Sequence, residues 1–257
     1  MYVHDNAREA VTVCQPHSLG QAKSLSTSVH YHDSMLLTAR AMLFDLDGVV
    51  VDSTPAITRV WTVWAIAHGF EPEKTVREAH GRPSIESLRD LLPDADHEAL
   101  NREMEQREIE DLEGVVALPG ALALLGSLPA DRWAIVTSCT RVLAEVRMRA
   151  AGLPVPSILV TSSETTNGKP HPEPYLKAAQ ALAVEPAACV VVEDVPAGIR
   201  SGKSAGARVI AVRTTAPDAD LTAAGADWLV DDCASIAVTN DATAGVLRIK
   251  LTSDLPG

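Results

Sequence analysis

AMLFDLDGVVVDS, residues 41–53, opens as an apolar run and ends in two aspartates, Asp45 and Asp47, with Gly48 directly behind them. Residues two apart on an extended chain point to the same side, so the end of a buried strand would aim both carboxylates at one point of a crevice. Such a placement is costly unless a cation or a reacting group sits between them. Gly48 lets the backbone turn away tightly, and Asp52 follows one turn later. One acidic residue after a strand can be a solvated turn. The pattern D-x-D-G-V-x-x-D after an apolar run points to chemistry instead.

On the C-terminal side a helix is expected at once. Ser53 or Thr54 can cap it, Pro55 suits the first turn, and Ile57, Val60, Trp61, Trp64 and Ile66 recur at helical spacing. The two tryptophans read as packing. From Pro72 to Gly114 the chain stays helical, with no alternation of the strand kind, and its charged end, HEALNREMEQREIEDLEG, reads mostly as a solvated face. From Leu118 the pattern changes. Helix PGALALLGSL precedes strand WAIVTS; helix TRVLAEVRMRAAG, capped by Thr140, precedes strand SILVTS; helix PEPYLKAAQALAV precedes strand CVVVED; helix PAGIRSGKSAG precedes the short strands RVIAV and DWLVD. Strands alternating with helices, each strand uniformly apolar, imply a parallel sheet covered on both faces. VLRIKL near the end alternates and suits an edge strand or hairpin.

The expected architecture is therefore α/β: a doubly wound, mainly parallel sheet, residues 40–57 and 119–257, with a small helical cap, residues 58–118, inserted after the first strand. Residues 1–39 lack periodicity and are rich in Ser, His and Gln, and read as a loosely ordered extension. His4, His17, His30 and His32 could bind a metal, but are read as part of a loose polar tail.

A formal charge of −12 argues against a nucleic-acid or anionic-membrane surface, though one lysine and one metal ion can override it locally for a phosphorylated substrate. No apolar run approaches the roughly 18 residues of a membrane span, and no secretory signal is apparent at the N-terminus. Cys14, Cys139, Cys189 and Cys233 are scattered without metal-ligand spacing. Reduced thiols and a cytoplasmic protein are expected.

In such sheets ligands gather at the carboxyl ends of the strands. The first strand ends in Asp45 and Asp47. The second ends in Thr137 and Ser138 just before a helix N-terminus, a seat for phosphate. The third leads to Lys169 in GKPHPEPY, and the fourth ends in Glu193 and Asp194. Each alone has a plain structural explanation. Together they converge four carboxylates, a lysine and two hydroxyls on one edge, a cluster that suits Mg²⁺, a hard ion preferring oxygen ligands.

D-x-D-G-V-x-x-D, Thr-Ser after a strand, G-K-P-x-P-x-P-Y and E-D-x-P-A-G, in this order, resemble the haloacid dehalogenase-type phosphohydrolases, over a stretch from about Met42 to beyond Asp232. HGRPSIESL, WAIVTSCTR, GKPHPEPYLKA and VVVEDVPAGIRSGKSAG resemble the branch of small sugar and polyol phosphatases, which includes glycerol-3-phosphate and 2-deoxyglucose-6-phosphate phosphatases. The resemblance implies that Asp45 attacks phosphorus to form an aspartyl-phosphate, and that Asp47 protonates the leaving alkoxide and then deprotonates the water. It implies Mg²⁺ held by Asp45, the backbone carbonyl of Asp47, and Asp194, with Glu193 in or near the shell. Thr137, the backbone after it at Ser138, and Lys169 would hold phosphoryl oxygens. Gly81 and Arg82, in the cap, are candidates for substrate selection. The expected partner is a small phosphorylated sugar or polyol, and the chain is expected to act as a monomer or weak dimer. Related β-phosphoglucomutases carry a histidine on the first cap helix and an arginine after the cap glycine. Ile57 and Ser84 stand at those positions here, with Arg82 nearby, which favours hydrolysis over a hexose-phosphate mutase.

AGIRSGKS, residues 197–204, imitates a phosphate loop, but its first position is Ala197 and it falls within an expected helix.

Overall fold

The structure, a computed structural model, describes residues 35–79 and 83–252. The chain runs through β1 (Met35–Ala39), β2 (Ala41–Phe44) and β3 (Val51–Asp52) into helices α1 (Thr54–Ala67), α2 (Pro72–Ala79), α3 (Ser84–Leu91) and α4 (His97–Glu110). It returns through β4 (Val116–Ala117), α5 (Ala121–Ser127), β5 (Trp133–Val136), α6 (Arg141–Ala150), β6 (Leu159–Val160) and α7 (Glu173–Ala181). β7 (Cys189–Glu193), α8 (Pro196–Ser204), β8 (Arg208–Val212), α9 (Asp218–Ala223), β9 (Trp228–Val230), β10 (Ile236–Asp241) and β11 (Val246–Leu251) follow.

Among the described residues, six strands form a parallel sheet in the order β6-β5-β2-β7-β8-β9. Successive strand residues face opposite sides. Met42, Phe44, Ile135, Val190 and Val192 pack with residues of α5 and α6, whereas Leu43, Ala134, Val136 and Val191 pack with residues of α7, α8 and α9. Burial on both sides explains why these strands are continuously apolar. The connections from β2 run to β5 and β6 on one side, while β7, β8 and β9 extend on the other. Neighbouring loops therefore part at the carboxyl end of β2, opening a crevice there.

The helical stretch α1–α4 gathers a core of its own from Val60, Trp61, Trp64, Ala65, Ala79, Leu88 and Met104. Trp61 and Trp64 meet edge to face with centroids 5.5 Å apart, consistent with their reading as packing residues. The stretch enters and leaves through a two-stranded antiparallel ribbon, β3 with β4.

Two local expectations are corrected. Residues 35–39, placed in the loose extension, form β1, because Leu37 and Ala39 turn inward and all five residues pair with β11. Residues 1–34 lie outside the described residues. VLRIKL forms the hairpin that was one of its two expected roles, β11 turning back on β10, but it is not an edge: β11 is the middle strand of the antiparallel sheet β1-β11-β10, flanked on both sides. The charged helix α4 is mostly solvated as expected, but it also buries Met104 and Glu108 where it packs against α1 and α6. The phosphate-loop imitation lies within α8. Among the described residues, no helix is long and apolar enough to cross a membrane.

Candidate active site

Asp45 follows the last residue of β2, and its backbone N–H donates to Val192 of β7, which extends the sheet to the site. Lys169 Nζ lies 2.7 Å from Asp45 Oδ1 and 2.7 Å from Glu193 Oε1, and donates to the Val136 carbonyl at 2.9 Å. One buried ammonium thus ties the ends of β2, β5 and β7 together. Tyr175 donates to Glu193 Oε1 at 2.6 Å, and the Asp194 backbone N–H donates to Glu193 Oε2 at 3.2 Å. Both Glu193 oxygens are therefore engaged. A Cβ on Gly198 would come within 1.8 Å of that carboxylate, so only glycine lets α8 begin this close.

Electrostatically this half is short of positive charge. Burial raises the pKa of Asp45 to about 7, Lys169 opposes the rise, and Glu193 adds to it. Burial likewise pushes Asp194 well above the carboxylate range, with Asp45 and Glu193 adding to it. Burial disfavours charge on Lys169, but Asp45 and Glu193 outweigh it and hold the ammonium well above the ordinary lysine range. Asp45, Glu193 and Asp194 each offer a carboxylate oxygen within 4.8 Å of the others. Asp194 Oδ1 is buried with no hydrogen-bond partner, a costly state for a carboxylate oxygen. Gly48 has φ +81°, and a Cβ there would meet Asp194 Oδ2 at 1.9 Å. The donor set is all oxygen, carries more carboxylates than cations, and leaves one oxygen unused. It suits a hard divalent cation such as Mg²⁺.

Asp47 lies in a separate environment. Its Oδ1 accepts the Ser53 hydroxyl at 2.6 Å, and its Oδ2 accepts Arg147 Nη1 at 3.0 Å and the Cys139 thiol at 3.1 Å. Arg147 Nη2 donates at 2.9 Å to Glu108 Oε2 on α4. Burial opposes charge on Arg147, but Asp47 leads the groups that raise its pKa above even the usual guanidinium value. Burial raises Glu108, and Arg147 opposes that rise. Ser53 and Thr140 occupy the N-cap positions of α1 and α6, but neither caps with its side chain. Ser53 turns to Asp47, and the Thr140 hydroxyl donates to Glu105 of α4.

Both halves open into one cavity of about 620 Å³. Thr137 is buried at its floor, where its hydroxyl oxygen accepts the Cys139 N–H, and exposed Ser138 is on its wall. The wall away from the sheet carries Glu86, Arg89, Glu98, Asn101 and Glu105, and Ser162, Ser163, Thr165 and Thr166 line another side. The structure thus brings together Asp45, Lys169, Glu193 and Asp194, sets Thr137, Ser138 and Asp47 around the same cavity, and leaves Gly81 and Arg82 outside the described residues. Sequence reasoning missed Arg147, Glu108 and Tyr175. The signal for the first two was a charge on a buried helical stripe: Leu143, Ala144, Arg147, Met148 on α6, and Met104, Glu108 on α4.

A family model described as haloacid dehalogenase-like hydrolase matches residues 39–206. Hexitol phosphatase A of Escherichia coli (strain K12) is 42% identical over 216 residues, covering 82% of this chain and 99% of that protein. Glycerol-1-phosphate phosphohydrolase 2 of Saccharomyces cerevisiae (strain ATCC 204508 / S288c) is 34% identical over 214 residues, covering 79% of this chain and 86% of that protein. Among solved structures, a β-phosphoglucomutase from Clostridium difficile superposes with a TM-score of 0.66, covering 76% of this chain and 92% of that one. At 23% identity that likeness carries the fold alone.

Proposed function

The chain belongs to the haloacid dehalogenase-like hydrolases and is a phosphoric monoester hydrolase, and we propose that it is a Mg²⁺-dependent phosphatase of small sugar or polyol phosphates working through an aspartyl-phosphate on Asp45. The observation that carries this reading is the triangle of Asp45, Lys169 and Glu193, with Asp194 beside it. A carboxylate does not approach a phosphate dianion unaided. Mg²⁺, which Asp45, Asp194 and the Asp47 backbone carbonyl would hold with Glu193 close by, supplies the positive charge that offsets this repulsion.

Asp45 attacks phosphorus, and the bond from phosphorus to the leaving oxygen breaks. The Asp47 carboxyl gives its proton to that oxygen, so the product leaves as a neutral alcohol. Water then attacks the phosphorus of the aspartyl-phosphate, Asp47 takes the water proton, and the bond to Asp45 breaks to release phosphate. Lys169, held by Glu193, offers its ammonium to the phosphoryl oxygens together with Thr137 and the backbone at Ser138. With both of its oxygens engaged, Glu193 acts chiefly by holding Lys169. Helices α1–α4 act as a cap over the crevice. The carboxylate, amide and hydroxyl groups on the cavity wall match an alcohol rich in hydroxyls, the chemistry named for the hexitol and glycerol phosphatases. Among the described residues, Cys139, Cys189 and Cys233 are unpaired, in keeping with work in the cytoplasm.

The test is phosphate release from a panel of hexitol, glycerol and hexose phosphates, with Mg²⁺ and with chelator. Release of phosphate from hexitol or glycerol phosphates that chelator abolishes is the expected result. Undiminished turnover in chelator would remove the metal from the account. Conversion of β-glucose 1-phosphate to glucose 6-phosphate, with little free phosphate, would replace the phosphatase by a mutase.

A further inference from the structure

Arg147 is 2% exposed, yet none of its neighbours on the buried face of α6, Leu143, Ala144 and Met148, is charged. Packing alone would be served as well by an apolar side chain there. Its guanidinium instead bridges two carboxylates, Nη1 on Asp47 Oδ2 at 3.0 Å and Nη2 on Glu108 Oε2 at 2.9 Å. The second carboxylate comes from α4, across the crevice from the sheet, and is itself buried at 5% exposure. The other Asp47 oxygen accepts Ser53 at 2.6 Å. Asp47 is thus gripped at both oxygens, by Ser53 at the start of α1 on one side and by Arg147 of α6 on the other, where the Cys139 thiol adds a weaker contact at 3.1 Å, and it cannot rotate without losing one grip. A planar guanidinium presents its N–H donors in a rigid fork, so it fixes the direction of both carboxylates as a rotatable ammonium does not.

We propose that Arg147 is a positioning residue for proton transfer, holding the Asp47 carboxyl group in line with the leaving oxygen both when it gives its proton and when it takes one from water, and that Glu108 makes this hold depend on the seating of α4 against the sheet. The inference rests on reading Asp47 as the group that protonates the leaving oxygen. It gives the helical stretch an influence on rate that does not pass through contact with the substrate.

The experiment uses the full chain with Mg²⁺ and two esters under single-turnover conditions, enzyme in excess. Glycerol 1-phosphate needs a proton on its departing oxygen, whereas p-nitrophenyl phosphate releases a stable phenolate without one. R147M leaves Glu108 buried without its partner and risks misfolding, so the decisive variant is the double substitution E108Q/R147M, which leaves no unpaired buried charge in the pair. The expected result is a fall of about 10²-fold in glycerol release against about threefold or less in p-nitrophenolate release and, in companion steady-state runs, a kcat for the glycerol ester that falls far more than KM changes. E108Q alone should fall in the same direction by about tenfold, and R147K should recover part of the loss seen in R147M. An equal loss on both esters, a change confined to KM, or no loss at all would overturn the proposal. A parent chain inactive on both esters is a separate result that would fail the phosphatase reading, and this proposal with it.

Discussion

Asp45 and Asp47 stand two residues apart on one loop, and their surroundings are of opposite kinds. Asp45 faces other carboxylates around a single ammonium, and Asp194 beside it keeps a buried oxygen unpartnered. Asp47 is fully provided for, by a hydroxyl, a thiol and a guanidinium. The first environment leaves room for added positive charge. The second supplies its own and fixes a direction. Strand ends make the first, and helices α1, α4 and α6 make the second, so the two halves of the reaction hang on different parts of the fold.

The comparison breaks most visibly in kinetics. D45N removes the attacking atom and should lower kcat on the order of 10⁴-fold or more, while D47N removes only proton transfer and should cost about 10² to 10⁴-fold. Phosphate release from glycerol 1-phosphate measures both. If D47N matched D45N in the single-turnover release of p-nitrophenolate, a step in which no proton is needed for departure and no water is yet activated, the division of labour would be lost.

A smaller effect appears in stability. The native pKa of Asp45, about 7, lies above its unfolded value of about 4. Between those values the metal-free native chain keeps a proton that the unfolded chain has released, so this group's contribution falls as pH rises from about 4 through 7. In chelator, the thermal midpoint of the parent should therefore decline relative to D45N between about pH 5 and pH 7.5, and Mg²⁺ should remove that decline by favouring the ionised carboxylate. Parallel curves for parent and variant would show that Asp45 is not the strained member of the pair. The least effect is expected at Ser138, exposed on the cavity wall and belonging to neither half. S138A leaves the backbone contact in place and removes only an exposed hydroxyl, so kcat/KM for glycerol 1-phosphate should change by about twofold or less.

The legible half of the site was the half made by strands. Asp45, Glu193 and Asp194 each end an apolar run, and a parallel sheet delivers all such ends to one edge, whereas Lys169 comes from the polar loop after β6 and was legible through its motif, GKPHPEPY. Arg147 and Glu108 carry no motif, and their pairing across 39 residues depends on where α4 comes to rest. Each is a charge on a buried stripe, but the dense charge of HEALNREMEQREIEDLEG hid the stripe on α4. Ser53 and Thr140 were correctly expected at helix starts, yet Asp47 and Glu105 compete for their hydroxyls and win. β1 was missed because its partner β11 lies about two hundred residues away, with Met35 opposite Leu251, and because Met35 and Leu36 are exposed. Local pattern carries no trace of such a distant pairing.

The proposed reaction turns on a phosphoryl group passing to Asp45. Acid-quenched samples taken during turnover of p-nitrophenyl phosphate with Mg²⁺, digested and mapped by mass spectrometry, should carry a phosphoryl adduct on the peptide holding Asp45, absent from D45N. A phosphoryl group on another residue, or steady turnover with none on the chain, would contradict it.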